Sequence, residues 1–210
     1  MKLTSDFLVI GSGLAGLLSA HKLSALGTVH LLTKKEVSEC NSNYAQGGIA
    51  AAIGRDDSPA SHAEDTIKAG AGLCDEAIVR LVADEAPARI RELRELGVRF
   101  CEKDGVMDLG LEAAHSHRRI LHAGDVSGRE IIRALVQRCQ EDANIRIFEN
   151  HIAVNLIRDG QGDCCGAQNS RRPASAPDTG WFPLRGLTVA TPGATSSAER
   201  PLCNGVIFHS

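Results

Sequence analysis

The N-terminal part of the chain places short, uninterrupted apolar runs on either side of a segment with helical periodicity. Residues 7–10 read Phe-Leu-Val-Ile, which is typical of a strand buried on both faces of a parallel sheet. Apolar residues then recur at helical spacing over residues 14–26, and a second strand is predicted over residues 28–32. This order predicts the first strand–helix–strand unit of an α/β fold with a parallel sheet.

Helical and strand patterns continue downstream. Apolar residues at helical spacing predict helices between residues 76 and 97, and Pro87 predicts a break between them. A further helix is predicted from Ser127 onward, followed by strands over residues 145–149 and 153–157. The chain therefore carries enough regular structure for one sizeable domain with its own core.

A glycine-rich turn joins the first predicted strand to the first predicted helix. Its six residues are Gly11-Ser12-Gly13-Leu14-Ala15-Gly16, which follow the G-x-G-x-x-G pattern. The first glycine allows a tight turn, the second lets the backbone approach a pyrophosphate, and the third lets the helix pack closely on the strand. The N-terminus of the helix offers N–H groups to the phosphates. The motif predicts dinucleotide binding, with an ordinary packing turn as the alternative.

The acidic residue that usually binds the ribose of NAD is missing from the predicted site. About 20 residues after the glycines, where it is expected, the strand ends in Thr33-Lys34-Lys35, with Glu36 just beyond. This argues against a plain NAD-dependent dehydrogenase. A second glycine pair, Gly47-Gly48, would let a flat isoalloxazine ring reach backbone N–H donors without obstruction by side chains. The two glycine motifs together predict a flavin site, with a glycine-rich connection that binds nothing as the alternative.

Several separate motifs resemble the L-aspartate oxidases, which are related to the succinate dehydrogenase and fumarate reductase flavoproteins. The matching runs are Thr33-Lys34, Ala45-Gln46-Gly47-Gly48 and residues 61–66, 69–72, 112–123 and 128–130. The resemblance covers residues from about 6 to 158 and only the N-terminal part of such a protein. It implies an incomplete Rossmann-like FAD-binding domain. It also implies oxidation of L-aspartate to iminoaspartate, the first step of NAD biosynthesis through quinolinate. Oxygen or fumarate is the implied electron acceptor, and a quinolinate-forming protein is the implied partner.

The resemblance also implies which residues bind FAD. The candidates are Gly11, Ser12, Gly13, Leu14, Ala15, Gly16, Lys34, Asn41, Ser42, Asn43, Tyr44, Ala45, Gln46, Gly47, Gly48 and Val154. Respiratory relatives carry a flavin-linking histidine where Asn41 stands, and an amide cannot form that linkage, so noncovalent FAD is expected. The backbone of Ala153 or Val154 is expected to contact the adenine. No catalytic residue is assigned, because the family's proton-transferring arginine is expected beyond residue 210; weak or no turnover by these residues alone is therefore expected.

Residues 111–123 hold the candidate substrate ligands. A dicarboxylate substrate requires cations, and the planar fork of arginine matches a carboxylate, so Arg118 and Arg119 are candidates. The carboxylate of Glu112 would attract the ammonium group of an amino acid and repel succinate, which has none. With the resemblance, Glu112, His115 and Arg118 are the predicted substrate-binding residues; a merely solvated basic loop is the alternative. A succinate or fumarate oxidoreductase and an inactive FAD-binding fragment remain alternative functions.

Composition narrows the possible partners and the compartment. The three histidines of residues 111–123 do not have the i, i+4 spacing of a helical zinc site, so no metal is predicted. A net charge of −3 and an aromatic content of 3% argue against nucleic-acid binding. No membrane span or signal peptide is recognised, and seven cysteines without paired spacing predict a reducing, cytoplasmic compartment. The charged run at residues 55–59 predicts a surface loop.

The last part of the chain has a different character. Five of the seven prolines lie after Gly166, and residues 189–194 resemble only faintly the Ala-Thr-Gly-Gly strand end of the relatives. Residues 1–165 are therefore predicted as the N-terminal part of an FAD-binding domain, and residues 166–210 as an irregular or disordered tail. A truncated product with a reading-frame shift near residues 159–170 is the hypothesis. A natively disordered tail is the alternative.

Overall fold

The computed structural model describes residues 3–171, 178–183 and 207–208. The helices in these ranges are α1 (Leu14–Ser24), α2 (Pro59–Ala69), α3 (Glu76–Glu95) and α4 (Ser127–Glu141). The strands are β1 (Phe7–Ile10), β2 (Val29–Leu32), β3 (Ile49–Ala50), β4 (Glu102–Lys103), β5 (Val106–Met107), β6 (Leu109–Gly110), β7 (Ile120–Leu121), β8 (Ile145–Phe148), β9 (His151–Arg158), β10 (Cys164–Arg171), β11 (Asp178–Pro183) and β12 (Ile207–Phe208). The residues form two units, Met1–Asn43 with Leu135–Ser210, and Tyr44–Ala134.

A parallel sheet forms the centre of the first unit. Its strand order is β12-β1-β2-β8, and all three pairings are parallel. All four residues of β2 are buried, and Leu8 and Val9 of β1 are at most 1% exposed. Strands buried on both faces read as largely apolar runs, which is why the predictions of β1 and β2 are confirmed. The prediction of β8 is confirmed as well, although its Arg146 is exposed. The α/β fold with a parallel sheet is confirmed with them.

The first unit also contains an antiparallel sheet in the order β11-β10-β9. Residues 166–171 lie in β10 and residues 178–183 in β11, where the sequence predicts an irregular tail. The irregular prediction is wrong for these two ranges. The pairing of β10 with β9 shifts register at two places, so β10 has no regular alternation of apolar and polar residues to reveal it. Residues 189–194, compared above with a family strand end, lie outside the described residues.

The second unit lies within the stretch predicted as residues 1–165 and combines α2 and α3 with short strands. The strands pair antiparallel as β3-β7-β6 and β4-β5. Helix α3 runs for 20 residues through Pro87, so the predicted break is wrong. Proline removes one N–H donor from a helix, but α3 buries Ala83, Ile90 and Leu93 along one face. It is also capped by Asp75, whose carboxylate accepts hydrogen bonds from two first-turn N–H groups.

No helix in the described ranges is both long and apolar enough to cross a membrane.

Candidate functional site

The glycine turn between β1 and α1 has the geometry that its sequence predicts. Gly11 has a φ of +106°, in the region that favours glycine, and its N–H donates to the carbonyl oxygen of Leu32 at 2.8 Å. A Cβ at Gly16 would collide with the carbonyl oxygen of Gly11. Two of the three motif glycines are therefore required by the close approach of strand and helix.

The N-terminus of α1 is suited to an anion. Gly13 is the N-cap and has no side chain to accept from the first-turn N–H groups, and the first turn has no acidic residue. The hydroxyl of Ser42 accepts a hydrogen bond from the Leu14 N–H at 3.3 Å. Because N–H groups and the positive end of the helix dipole favour a phosphate, this end of α1 fits the pyrophosphate of a dinucleotide.

A cavity of about 390 Å³ opens over the glycine turn. Six of the predicted cofactor residues line it: Gly11, Ser12, Gly13, Lys34, Asn41 and Ser42. Ser12 and Thr33, which follow β1 and β2, hydrogen-bond to each other through their hydroxyls at 2.9 Å and are buried. The structure thus brings together residues from three separate parts of the sequence around one cavity.

The other predicted cofactor residues are not among those that line this cavity. Leu14, Ala15 and Gly16 form the first turn of α1, and Asn43 lies in a short 3₁₀ helix at Asn41–Tyr44. On β9 it is Ala153 that lines the cavity, whereas Val154 is 54% exposed. Of the two residues expected at the adenine, Ala153 therefore has the better position.

Lysine and glutamate side chains surround the end of β2. Lys35 and Glu39 both line the cavity and form an ion pair at 3.1 Å. Lys34 lines it too and makes no ion pair with any described residue, so its ammonium group is available to a phosphate or a ribose hydroxyl. The donor set of glycine backbone, hydroxyl, amide and ammonium groups fits FAD.

The second glycine pair lies in the other unit with Tyr44, Ala45 and Gln46, all exposed. A Cβ at Gly48 would collide with the side chain of Ile120 and the carbonyl oxygen of Leu121, so packing against β7 requires glycine there. A Cβ at Gly47 would meet no atom within 4 Å. The packing of β3 on β7 therefore explains Gly48, and only Gly47 lacks a structural reason in the described residues. The predicted flavin contacts of residues 44–48 stay predictions.

The two neighbouring arginines of the 111–123 segment have opposite environments. Arg118 is exposed, with one long hydrogen bond from Nη1 to the carbonyl oxygen of Leu109 at 3.4 Å. Arg119 is fully buried and ion-paired with Asp57 and Asp65. Arg119 as a substrate ligand is therefore wrong, because its guanidinium is already neutralised inside the protein. Arg118 remains the candidate, as does exposed Glu112.

Asp57, Asp65 and His62 are site residues that sequence reasoning missed. The side chain of Asp57 is 0% exposed, so the prediction of a surface loop at residues 55–59 is wrong for this residue. Hydrogen bonds from Ser116 and the charge of Arg119 lower the pKa of Asp65. The periodicity of α2, which carries His62 and Asp65 three residues apart on one face, is the one sequence signal that could have suggested them.

His62 and His115 form a pair of imidazoles. Their ring centroids are 6.1 Å apart in an edge-to-face arrangement. The Nδ1 atoms of both rings are buried without a hydrogen-bond partner. Burial, then the charge of Arg119, lowers the pKa of His62, which keeps this ring neutral near pH 7. Within the described residues, no group of three or more histidine, cysteine, aspartate or glutamate side chains is arranged to hold a metal ion.

Comparison with known proteins matches residues 6–199 to the FAD binding domain family. The chain is 49% identical over 163 residues to L-aspartate oxidase 2-b, chloroplastic, of Nicotiana tabacum, covering 76% of this chain and 25% of that protein. It is 46% identical over 162 residues to L-aspartate oxidase of Nostoc sp., covering 77% of this chain and 28% of that protein. The chain thus spans about a quarter of the length of these curated relatives.

Among solved structures, the chain is similar to the Mycobacterium smegmatis Sdh1 complex with UQ1. The TM-score is 0.77 at 31% identity, over 90% of this chain and 34% of that one. E. coli quinol fumarate reductase FrdA matches with a TM-score of 0.78 at 22% identity, over 92% of this chain and 33% of that one. At that identity the second match supports the fold alone.

Proposed function

Because the chain belongs to the FAD-binding domain family, we propose that it holds FAD noncovalently as the N-terminal part of an L-aspartate oxidase. The observation that carries the proposal is the cavity over the glycine turn, which is lined both by Lys34 and by Gly13, the N-cap of α1 that has no side chain. Asn41 lines this cavity. Its amide can donate and accept hydrogen bonds but cannot form a covalent link to a flavin.

The proposed reaction oxidises the Cα–N bond of L-aspartate to the imine of iminoaspartate, with loss of two electrons and two protons. Bound FAD supplies the two-electron acceptor. The chain's own contribution is to bind and orient the substrate. Arg118 pairs with a substrate carboxylate, Glu112 pairs with the ammonium group, and His115 lies between them in the sequence.

The exposed positions of Glu112 and Arg118 support this assignment, because both charges remain available to a ligand. A succinate or fumarate oxidoreductase is the second candidate, supported by the structural similarity at 31% identity. The 49% identity to an L-aspartate oxidase favours the first candidate. The ammonium-binding role of Glu112 has no counterpart in succinate, which carries no positive charge.

The proposal extends to the electron acceptor, a downstream partner and the compartment. Oxygen or fumarate is the proposed final electron acceptor, and the product iminoaspartate would pass to a quinolinate-forming partner in NAD biosynthesis. The proposed compartment is the cytoplasm. Six cysteines of the described residues are free thiols, as is usual in a reducing compartment.

The test compares the binding of L-aspartate and of succinate to the FAD-loaded chain. L-aspartate and succinate are titrated separately while the backbone amide signals of residues 111–119 are followed by NMR. We expect L-aspartate to bind more tightly than succinate, and Glu112→Gln to remove most of that preference. Glu102→Gln, which neutralises an exposed glutamate of β4, is the matched control. Tighter binding of succinate, or a preference that survives Glu112→Gln, would contradict the proposed substrate.

A further inference from the structure

Arg119 donates three hydrogen bonds to the carboxylates of Asp57 and Asp65. Its Nε and Nη2 atoms donate to the two carboxylate oxygens of Asp57, each at 2.9 Å, and its Nη1 donates to Asp65 at 2.9 Å. The side chains of Arg119 and Asp57 are 0% exposed, and that of Asp65 is 16% exposed. A bidentate pair fixes the plane of the guanidinium. Moving one partner would leave a buried charge without compensation, so the three side chains form a rigid group.

The same group holds the backbone of the segment that precedes Arg119. The Oδ2 atom of Asp65, which accepts from Arg119, also accepts from the N–H of Ser116 at 2.7 Å and from its hydroxyl at 2.8 Å. The hydroxyl of Ser61 lies 3.3 Å from that of Ser116 and 3.3 Å from Nδ1 of His117. Ser116 and His117 are thus tied to α2 through side chains. The backbone of Arg119 is also fixed, because its N–H donates to the carbonyl oxygen of Gly110 and its carbonyl oxygen accepts from the N–H of Ala51.

Helix α2 also contacts the residue before Ser116. The ring of His62, which is only 8% exposed, meets the ring of His115 edge to face. Between Glu112 and His115 the backbone makes one turn bond, from the N–H of His115 to the carbonyl oxygen of Glu112, at 3.0 Å. Glu112 and Arg118 themselves are exposed. The two exposed charges therefore flank a short stretch whose position depends on contacts with α2.

We propose that Arg119, Asp57 and Asp65 form a positioning anchor that holds residues 112–118 on α2 and so sets the spacing of Glu112 and Arg118 for the substrate. The substrate half of this inference rests on the proposed function. The anchor does not contact the substrate. It acts through Ser116, which shares an acceptor oxygen with Arg119. Two fixed charges bind an amino-dicarboxylate better than two mobile ones, because less conformational entropy is lost on binding.

The first test is hydrogen exchange on the FAD-loaded chain. Asp65→Asn weakens the bonds to Arg119 and Ser116 while Asp57 keeps its bidentate pair. We expect the amides of residues 112–118 to exchange about tenfold faster or more in this variant, with the amides of β1 and β2 unchanged. Ser116→Ala, which removes one bond to Asp65 from an exposed residue, is the second variant in case Asp65→Asn folds poorly. Asp84→Asn on the exposed face of α3 is the matched control.

The second test asks whether the anchor serves substrate binding. The dissociation constant of L-aspartate is measured by NMR for the wild type, Asp65→Asn and Asp65→Glu, together with that of FAD. We expect L-aspartate to bind about tenfold more weakly to Asp65→Asn, which is about 1.4 kcal/mol. Asp65→Glu restores the carboxylate and should recover part of the loss. The affinity for FAD should not change.

The results of these two tests distinguish a failure of the anchor from a failure of the proposed function. Unchanged exchange of residues 112–118 in both variants would overturn the anchor. Faster exchange with unchanged L-aspartate affinity would overturn its role in positioning and leave a purely structural group. Failure of the wild type to bind L-aspartate, with exchange responding as expected, would contradict the proposed function and the substrate half of this inference while supporting the anchor.

Discussion

A buried histidine in the parallel sheet predicts a loss of stability in mild acid. His30 lies in the middle of β2 and is 7% exposed, with its ring edge to face against Phe148 at 5.0 Å between centroids. Burial, then the charge of Arg146 on the neighbouring strand, lowers the pKa of His30 from 6.5 to about 4. The folded chain therefore keeps this imidazole neutral at a pH where the unfolded chain protonates it.

The sign and size of this change in the free energy of unfolding follow from proton linkage. Between pH 6.5 and about pH 4 the unfolded state binds one more proton than the folded state at this residue, so stability falls as the pH falls through this window. Each pH unit costs about 1.4 kcal/mol there. Going from about pH 7.5 to about pH 5 should lower the free energy of unfolding by about 2 kcal/mol through His30 alone. The carboxylates with lowered pKa values, such as Asp142, lose their contribution mainly below this range.

The assay is urea unfolding followed by circular dichroism at about pH 7.5 and about pH 5, for the wild type and for His30→Leu. Leucine cannot be protonated, so the variant should lose about 2 kcal/mol less than the wild type over this interval. Arg146→Gln should reduce the loss slightly, because it removes the second cause of the lowered pKa. Lys103→Gln, which removes an exposed cation from β4, controls for net charge. An equal loss in the wild type and His30→Leu would show that protonation of His30 does not cause the loss of stability.

Three further predictions concern packing and reactivity. Gly48→Ala should lower the free energy of unfolding by about 1 kcal/mol or more, because the added Cβ collides with β7. Gly47→Ala should leave the free energy of unfolding in urea unchanged, and equal losses in the two variants would contradict this prediction. Arg119→Met should lower the free energy of unfolding by about 3–5 kcal/mol, because it leaves Asp57 as a buried, uncompensated charge; a loss below about 1 kcal/mol would mean that water reaches Asp57. Burial raises the pKa of Cys139 to about 12, so this thiol should react with a thiol reagent only after unfolding, as mass spectrometry of labelled peptides can establish.

Local sequence pattern was enough to predict the elements that carry the glycine turn. Strands β1 and β2 lie inside the parallel sheet, so their sequences are apolar except at His30. The turn between β1 and α1 is dictated by Gly11 and Gly16. Strand β10 escaped prediction because its pairing with β9 is interrupted by two register shifts, and no regular pattern survives such irregularities. The helix break predicted at Pro87 does not occur, because the burial of one face of α3 outweighs the loss of one hydrogen bond.

Which of the two arginines is exposed and which is buried could not be predicted from the residues next to them in the sequence. Arg118 and Arg119 are adjacent and chemically identical, yet one is exposed and the other fully buried. The difference lies in Asp57, which is 62 positions away in the sequence, and Asp65, which is 54 positions away. Only the fold brings these partners together. The segment around Asp57 has the composition of a solvated loop, and nothing in it signals a buried carboxylate.

A titration of the purified, flavin-free chain with FAD, followed by acid denaturation and separation of protein from solution, would test the noncovalent flavin site. We expect saturable binding of one FAD per chain, weakened by Lys34→Gln but not by Lys68→Gln on the exposed face of α2. All flavin should be released into solution on denaturation. Absence of binding would contradict the assignment of the cavity over the glycine turn. Flavin that stays attached to the denatured protein would contradict the noncovalent site at Asn41.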